Sequence, residues 1–493
     1  MKHSTIFFGV IISLLLFTSC ARNPVSGKRQ VVLMSEAQEI EMGKAADPQI
    51  VAQFGVYADT ALQNFITRKG NEMVAKSHRP NLAYEFKVVN SEVLNAFAVP
   101  GGYVYFTRGI MANFNNEAEF AGVLGHEIGH ITARHSVVQQ RNAMLGQLGI
   151  IAGIIIAPNL AQFAESAMQG LGLLFLKFGR DAERQSDELG VEYSSKIGYD
   201  AQQMANFFNT LERERAKAGG EELPDFLSTH PNPGDRNVTV SKLAREWKQK
   251  LGLANAAVNR NSYLKRIDGL IYGEDPKEGF LENSVFYHPV LKFQFTTPAG
   301  WAYQNTPQRV QLAPKDGKAL FFLTLAPGKT LQEAANGILQ QYKLQLAEPL
   351  RNVSVNGLNS IAMIADQQVA QQQGQQQQGQ QQQAPGIRTI SYVIQQGEYL
   401  YHLIGVAGIA EFNNYMSFFT NTMQSFQTLT DATKLNKKAD RVRIKTLAQN
   451  MTLEQAFKTY KMPNEKLEQY AILNGMKLTD NVPKGTMIKV IQQ

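Results

Sequence analysis

The pattern of apolar and polar positions divides the chain into a helical first half and a strand-rich second half. Between residues 35 and 250, apolar residues mostly recur at the spacing that places them on one face of an α-helix. The exception is 84–89 followed by 96–108, where β-branched and aromatic residues predict a small sheet. We therefore predict one mainly helical domain with a small sheet over residues 20–255.

Helical periodicity resumes after this sheet at Asn116. Its side chain can cap a helix, Glu119 follows three residues later, and the pattern continues to about Gln140. Residues 145–178 are then strongly apolar, but neither of their two apolar runs is long enough to span a bilayer. They are predicted to form a helical hairpin over this domain, and a loop that dips into a membrane is the alternative.

From about residue 284 the pattern changes to strands with two flanking helices. This change predicts a second, α+β domain over 285–430, preceded by a linker at 256–284. The predicted strands are 290–297, 320–325, 387–395 and 399–406, and the predicted helices are 331–346 and 410–429. Residues 367–383 form a glutamine-rich tract without apolar side chains to bury, which predicts a disordered insertion between two strands.

Residues 431–493 read as a third, small unit with the order strand, helix, helix, strand. Thr452 opens the first helix, and Asn474-Gly475 closes the second. The arrangement resembles a lysin-motif (LysM) module, a family that binds N-acetylglucosamine polymers such as peptidoglycan. The usual Gly-Asp-Thr opening of that family is Asn-Met-Thr at 450–452 here, so packing or partner binding is the alternative to glycan binding. The predicted fold class is thus multidomain α+β.

Composition supports ordinary globular folding in more than one domain. The chain has 493 residues, of which 44% are hydrophobic and 18% charged. The net charge of +7 is scattered along the chain, so no nucleic-acid partner is expected. The densest basic stretch, at 434–445, is interpreted as a soluble linker, with contact to an anionic envelope surface as the alternative.

The first 19 residues have the pattern of an export signal. Lys2 is followed by an apolar run at 6–17 that is too short to cross a membrane, and then by Thr-Ser before Cys20. Small residues before a cysteine resemble a bacterial lipobox, which implies a lipidated Cys20 as the mature N-terminus. Ala21 follows, which under the family's rule favours the outer membrane. An ordinary signal peptide with an incidental cysteine is the alternative, and the single cysteine excludes an intramolecular disulfide.

A candidate metal site lies within the predicted helix that starts at Asn116. His126, Glu127 and His130 form a His-Glu-x-x-His motif, and residues four apart project from the same face of a helix. Two imidazoles can therefore reach one ion, and a catalytic zinc takes three protein ligands and a water. Glu127 lies beside the first ligand, where its carboxylate can accept a proton from that water.

The third ligand is expected from a later helix. Glu183 can reach the metal, although by itself it could equally be a surface acid in a charged run. Asp187 follows one turn later, where it can orient a histidine ligand or donate a proton.

Four segments together resemble one protease family. They are Asn-Ala-Phe-Ala-Val-Pro-Gly-Gly at 95–102, residues 126–135, residues 183–187, and Ser-Thr-His-Pro at 228–231. Their order and spacing are similar to those of the CAAX-prenyl-endopeptidase-like gluzincins, in particular the soluble periplasmic branch. The resemblance implies one Zn²⁺ per chain on His126, His130 and Glu183, with Glu127 as general base and Asp187 as a further catalytic or proton-donating residue. It also implies that the strand 103–107 lies beside the cleft, where an exposed edge would pair with an extended polypeptide.

His230 is the remaining candidate site residue. Prolines at 231 and 233 predict a shaped loop, and a loop histidine bonded to its neighbours is the plain interpretation. In the resembling family this histidine faces the active site. It would then either stabilise the oxyanion of the reaction or occupy the open position of the zinc as a latch.

The sequence as a whole predicts a zinc endopeptidase of the bacterial cell envelope, anchored through Cys20 and facing the periplasm. Its expected substrates are unfolded or misassembled envelope proteins. A lipid-anchored chaperone or binding protein with a latched metal site is the second hypothesis. A glycan hydrolase is the third, although no paired-carboxylate site supports it.

Overall fold

The structure is a computed structural model that describes residues 20–27, 29–31, 34–137, 150–151, 154–155, 157, 160, 163, 178–217, 226, 229–230, 236–367 and 386–493. The predicted signal peptide at 1–19 lies outside these residues. The glutamine-rich tract does so as well, except for Gln367, and so does most of the apolar segment 145–178.

The helices and strands have the following bounds. The helices are α1 Glu36–Phe54, α2 Thr60–Val74, α3 Arg108–Asn113, α4 Glu117–Thr132, α5 Arg180–Lys196, α6 Gln202–Lys217, α7 Arg236–Lys250, α8 Arg260–Arg266, α9 Leu331–Gln341, α10 Phe412–Gln424, α11 Ala432–Leu435, α12 Leu453–Thr459 and α13 Leu467–Leu473. The strands are β1 Cys20–Arg22, β2 Arg29–Val31, β3 Glu85–Val89, β4 Ala96–Val99, β5 Tyr103–Thr107, β6 Ile150–Ile151, β7 Ile154–Ile155, β8 Phe280–Glu282, β9 Val285–His288, β10 Phe293–Thr296, β11 Ala302–Thr306, β12 Arg309–Ala313, β13 Ala319–Leu325, β14 Leu344–Leu346, β15 Arg351–Val355, β16 Leu358–Gln367, β17 Ile387–Gln396, β18 Tyr399–Gly408, β19 Gln427–Thr428, β20 Arg441–Thr446, β21 Met451–Thr452, β22 Asn481–Val482 and β23 Met487–Gln492.

The described residues fall into two compact units. The first takes Met1–Leu145, Gly172–Gly273 and Asp440–Gln493, and the second takes Gly146–Leu171 and Glu274–Ala439, in each case as far as the structure describes these ranges. The multidomain arrangement of helices and several sheets agrees with the predicted class. The domain limits proposed from the sequence stay predictions.

The small sheet of the first unit is confirmed, but its strand order corrects one expectation. The order is β3-β5-β4, with β5 parallel to β3 and antiparallel to β4. Because β5 (Tyr103–Thr107) is the central strand, both of its edges are already paired. The expectation of an exposed edge on 103–107 is therefore wrong, and β4 is the outer strand on that side.

Helix α4 starts where the sequence predicts and ends earlier. The Asn116 side chain accepts a hydrogen bond from the backbone N–H of Glu119 and so caps the helix. The helix ends at Thr132 and not near Gln140, and Arg134 follows with a φ of 59°. A residue in the left-handed region cannot continue an α-helix, which explains the early end.

Two glycines allow α4 and α5 to approach closely. A side chain on Gly125 would place its Cβ 2.9 Å from the carbonyl oxygen of Gly190. A Cβ on Gly122 would lie 2.5 Å from that of Met204 on α6. These contacts bring the backbones within van der Waals distance, so short side chains on facing turns of α4 and α5 can meet.

Residues 440–493 pack within the first unit and have the predicted order of strand, helix, helix and strand. The strands β20 and β23 pair antiparallel. Lys489 of β23 is buried, and its ammonium donates to the carbonyls of Ala112 at 2.9 Å and Phe114 at 3.1 Å, at the end of α3. A side chain from the last strand thus satisfies carbonyl groups that the end of a helix leaves free.

The second unit is built on an eight-stranded sheet. Its order is β11-β12-β13-β18-β17-β16-β14, and β15 also pairs with β16. Helix α9 contributes to the apolar core on one face and α10 to the core on the other. The predicted helix 331–346 ends at Gln341, because Lys343 has a φ of 52° and the next residues form β14.

Two short strands correct the helical interpretation of 145–178 in part. Residues 150–151 and 154–155 pair antiparallel as β6 and β7, whereas Leu160 and Phe163 are helical, and most of the segment lies outside the described residues. Both strands consist of isoleucine, whose branched side chain favours extended structure. No helix among the described residues is both long and apolar enough to cross a membrane.

Candidate metal centre and active site

Two buried histidines face each other on α4. His126 and His130 are one turn apart, and their Nε2 atoms lie 3.0 Å from each other. Burial lowers the pKa of both imidazoles well below the ordinary value, so both rings are neutral at neutral pH. A neutral imidazole is the form that binds a metal ion.

Glu183 of α5 lies beside these two nitrogens. Its carboxylate oxygens are 3.4 Å from Nε2 of His130 and 3.5 Å from Nε2 of His126. Burial raises the pKa of Glu183, but the charge of His230 and the adjacent imidazoles of His130 and His126 outweigh that effect and hold it well below its usual range. The carboxylate is thus charged at neutral pH, and its Oε2 atom has no hydrogen-bond partner among the described residues.

His230 completes a cluster of four. Its Nδ1 lies 3.1 Å from Oε1 of Glu183, and its Nε2 lies 3.6 Å from Oε1 of Glu127. Its backbone N–H donates to the carbonyl of Phe226 at 2.8 Å, which fixes the position of this segment. The Nε2 atom is also 3.4 Å from the carbonyl oxygen of Ala96, so the outer strand β4 runs past the cluster.

Glu127 is fully buried beside the cluster. Neither of its carboxylate oxygens has a hydrogen-bond partner in the described part of the chain. Burial raises its pKa to about 7. A carboxylate with a pKa near neutrality can both accept and return a proton at physiological pH.

Asp187 and Arg236 form a second layer behind His126. Oδ1 of Asp187 lies 2.9 Å from Nδ1 of His126, and the Arg236 guanidinium donates to both oxygens of Asp187 at 2.7 and 2.8 Å. Burial raises the pKa of Asp187 to about 6, against the opposing charge of Arg236. With the carboxylate accepting from Nδ1–H, the lone pair of His126 is on Nε2 and faces the cluster.

A similar chain stands behind His130. Its Nδ1 lies 3.1 Å from Nδ1 of His135, whose Nε2 is 2.9 Å from the amide oxygen of Gln185. If His135 donates to Gln185, it accepts from Nδ1–H of His130 and leaves the His130 lone pair on Nε2. Both histidines of the motif are therefore held in the same tautomer, directed at one point.

The donor set fits a zinc ion. One ligand atom from each of His126, His130, Glu183 and His230 lies within 4.8 Å of all the others, and all four residues are buried. Two imidazole nitrogens lie 3.0 Å from each other, beside a Glu183 oxygen that is 3.6 Å from the Arg236 guanidinium and has no hydrogen-bond partner among the described residues. A shared cation would satisfy these three atoms. Two nitrogens and one carboxylate are a set that zinc takes in catalytic sites.

The structure brings together all six site residues that the sequence predicts. Sequence reasoning did not single out Arg236, His135 or Gln185. A spacing signal exists for His135, which follows His130 by five residues, shortly after the end of the motif helix. The sequence offers no local signal for Arg236, because arginines are common on surface helices and its role depends on the packing of α7 against α5.

The comparison with known proteins agrees with this geometry. Residues 60–244 match the model of peptidase family M48. This M48 segment contains the motif helix α4, helix α5 and both residues of the second layer behind His126. A "Beta-barrel assembly-enhancing protease" of Yersinia pestis is 29% identical over 328 residues, which are 64% of this chain and 61% of that protein.

Two further relatives come from different organisms. The "Beta-barrel assembly-enhancing protease" of Escherichia coli (strain K12) is 29% identical over 225 residues, 44% of this chain and 45% of that protein. The "Mitochondrial metalloendopeptidase OMA1" of Arabidopsis thaliana is 31% identical over 188 residues, 38% of this chain and 37% of that protein. The chain thus spans between about a third and three fifths of the length of these relatives.

Proposed function

We propose that the chain is a zinc-dependent endopeptidase of the bacterial cell envelope. The buried cluster of His126, His130 and Glu183, with Glu127 unpartnered beside it, is the observation that carries this proposal. The match to peptidase family M48 and the names of the relatives support the same activity. The more specific assignment to the CAAX-prenyl-endopeptidase-like gluzincins is supported by the four sequence segments that resemble that family.

Each residue of the site has a role in this proposal. His126, His130 and Glu183 hold one Zn²⁺, which when bound lowers the pKa of a coordinated water and polarises the scissile carbonyl. Glu127 accepts the proton of the attacking water and returns it to the leaving amine, a task that its pKa near 7 suits.

The surrounding residues orient this set. Asp187 fixes the tautomer of His126, and Arg236 neutralises the charge of the Asp187 carboxylate. Because Asp187 is held by Arg236 and His126, we assign it a positioning role before a proton-donating one.

The proposed substrates are unfolded or misassembled envelope proteins. The outer strand β4 passes His230, so an extended polypeptide would pair with β4 and not with the central strand β5. Backbone pairing requires an unfolded segment and little sequence specificity. The name of the bacterial relatives, which refers to β-barrel assembly, is consistent with such substrates.

We place the protein at the periplasmic face of the envelope, held in the outer membrane through a lipidated Cys20. The sequence around Cys20 supports this location. We also propose that residues 440–493 act as a LysM-like module with affinity for peptidoglycan. Mass spectrometry of the N-terminal peptide tests the first point, since an unmodified Cys20 contradicts it, and a pull-down with insoluble peptidoglycan tests the second.

A latched form is the second candidate. His230 contacts Glu183 and lies within 3.6 Å of Glu127, so it can occupy the fourth position of a zinc site. In this form the protein would bind polypeptides as a chaperone and cleave them only after His230 moves away.

Casein digestion combined with metal analysis tests the main proposal. Glu127→Gln should retain zinc and lose cleavage, because it removes the base and none of the proposed ligands. Glu183→Ala should lose zinc, whereas Glu188→Ala, an exposed acid on the same helix, should retain both zinc and activity. A wild-type protein without zinc, or full activity in Glu127→Gln, would overturn the proposal.

A further inference from the structure

A cavity of about 410 Å³ lies within the second unit, and none of the residues that line it belongs to the metal centre. The turn between β11 and β12 forms one wall, and its tip residues Pro307 and Gln308 are exposed, so the cavity reaches the surface. Small-molecule sites in proteins have volumes of about 300–1,000 Å³. The cavity is therefore large enough for a small organic ligand.

A polar row crosses the wall of this cavity. Arg309, Thr324 and His402 lie directly opposite one another on β12, β13 and β18. Residues opposite each other in an antiparallel sheet leave the same face, so these three side chains are neighbours. Two positions further along, Phe322 and Ile404 belong to the apolar core on that face. The row is thus a polar patch in an otherwise apolar surface.

Arg309 is a buried cation without a counter-ion. It is 8% exposed, its Nε has no hydrogen-bond partner, and no carboxylate of the described residues lies within ion-pair distance of it. Its guanidinium lies 5.8 Å from the ring of Phe322, a contact that covers one face but leaves the N–H donors unused. Burial lowers its pKa to about 10, so it stays charged at neutral pH. A buried unpaired charge is costly unless something pairs with it.

The side chain of Tyr401, one residue before His402 on β18, leaves the opposite face of the sheet and belongs to the other apolar core. Arg309 is therefore the buried group that a ligand on this face would satisfy, and native proteins leave few such groups unpaired.

The charge of the wall decides which ligand fits. Burial lowers the pKa of His288 to about 4 and of His402 to about 3, so both are neutral at neutral pH. Among the described lining residues, Arg309 is then the single positive charge. Glu278 also lines the cavity, which further disfavours a dianion such as a phosphate monoester. Pro327 and Tyr342, on the Arg309 side of the sheet, supply apolar surface.

We propose that this cavity binds an organic monoanion, a carboxylate that carries an aromatic or branched apolar group. The planar guanidinium of Arg309 pairs with the carboxylate, for which its fork of donors is suited. The apolar group lies against Pro327 and Tyr342. Such a carboxylate occurs both in free small acids and at the C-terminal residue of a polypeptide, and the test below separates these two sources.

Isothermal titration of the full-length protein tests the proposal with three probes. N-acetyl-phenylalanine mimics a polypeptide C-terminus, 3-phenylpropionate is a free acid, and N-acetyl-phenylalanine amide has no charge. At least one acid should bind, and the amide should bind about tenfold or more weakly, since it cannot form the charge-assisted pair. Binding of both acids assigns the site to chain termini as well as free acids, and binding of 3-phenylpropionate alone assigns it to free acids.

Variants locate the binding. Arg309→Met should weaken acid binding by about 10- to 100-fold, the loss expected for a hydrogen-bonded charge. Arg388→Met, which removes an arginine already paired with Asp366 on the same sheet, should bind as the wild type does. Glu183→Ala should also retain binding, because the metal centre is not involved.

Three results would overturn the proposal. The first is that neither acid binds at millimolar concentration. The second is equal binding of acid and amide by the wild type. This comparison tests recognition of the carboxylate even if Arg309→Met does not fold. The third is loss of binding in Glu183→Ala, which would place the acid at the metal centre.

Discussion

Oδ1 of Asp187 lies 2.9 Å from Nδ1 of His126, so the ring atom facing away from the cluster is held by a carboxylate while Nε2 faces inward. Arg236 holds that carboxylate through both oxygens. The proposed ligand is thus part of a buried chain of three side chains. The contribution of this chain to metal binding can be measured separately from the chemistry.

We predict that Asp187→Asn lowers the affinity for zinc by about 10- to 100-fold. The amide is similar in size but carries no charge, and it can present its NH₂ group to His126 and favour the wrong tautomer. Competition with a zinc chelator gives the affinity. Asp181→Asn, on the exposed start of the same helix, is the matched control. Unchanged zinc affinity in Asp187→Asn would exclude the positioning role.

We predict that His230→Ala raises casein cleavage. If His230 acts as a latch in about nine molecules of ten, its removal increases kcat/KM about tenfold. The experiment also distinguishes the alternative role. A fall of kcat by about 10²-fold would assign His230 to stabilisation of the oxyanion. Unchanged kinetics, with unchanged zinc content, would leave it as a loop residue bonded to its neighbours.

We predict that Lys489→Met destabilises the first unit by about 1–3 kcal/mol, because the carbonyls of Ala112 and Phe114 lose a buried donor. Methionine preserves most of the side-chain length, so packing changes little. Calorimetry in the Glu127→Gln background avoids self-cleavage. Lys484→Met, at an exposed position of the same module, should unfold as the parent does. Equal unfolding temperatures for both variants would contradict the prediction.

We predict that the second unit loses stability as the pH falls below about 6.5. Burial lowers the pKa of His402 from 6.5 to about 3, so between these values the unfolded chain binds a proton that the folded unit does not. The stability is fully present above pH 6.5, and it is lost by up to about 1.4 kcal/mol per pH unit as the pH falls towards 3.

His402→Gln isolates this effect, because the other titrating groups, including His288 with its pKa of about 4, are common to both proteins. The slope of stability against pH should be smaller in the variant. Fluorescence of Trp301 in a Trp247→Phe background reports the second unit, since the sequence has two tryptophans. Equal slopes would show that His402 is protonated in the folded unit.

The helical elements of the metal centre could be predicted because their signals are local. The spacing of His126 and His130 needs only the helical repeat, and the Asn116 cap needs only its own turn. The order β3-β5-β4 could not be predicted, since it depends on which strands pair in the folded chain and not on the residues within each strand. Arg236 and Arg309 have no local signature either. The role of each arginine depends on the residues that lie next to it in the folded chain.

The contact between Lys489 and the end of helix α3 joins residues 377 positions apart in the sequence. Every residue of the second unit is synthesised between them. Chains emerge from the ribosome from the N-terminus. The carbonyls at the end of α3 can therefore form their hydrogen bonds with Lys489 only when almost the whole chain has been made. Contacts of such long range slow folding, since a large loop must close first. The first unit would thereby reach its final structure late, after most of the chain has been made.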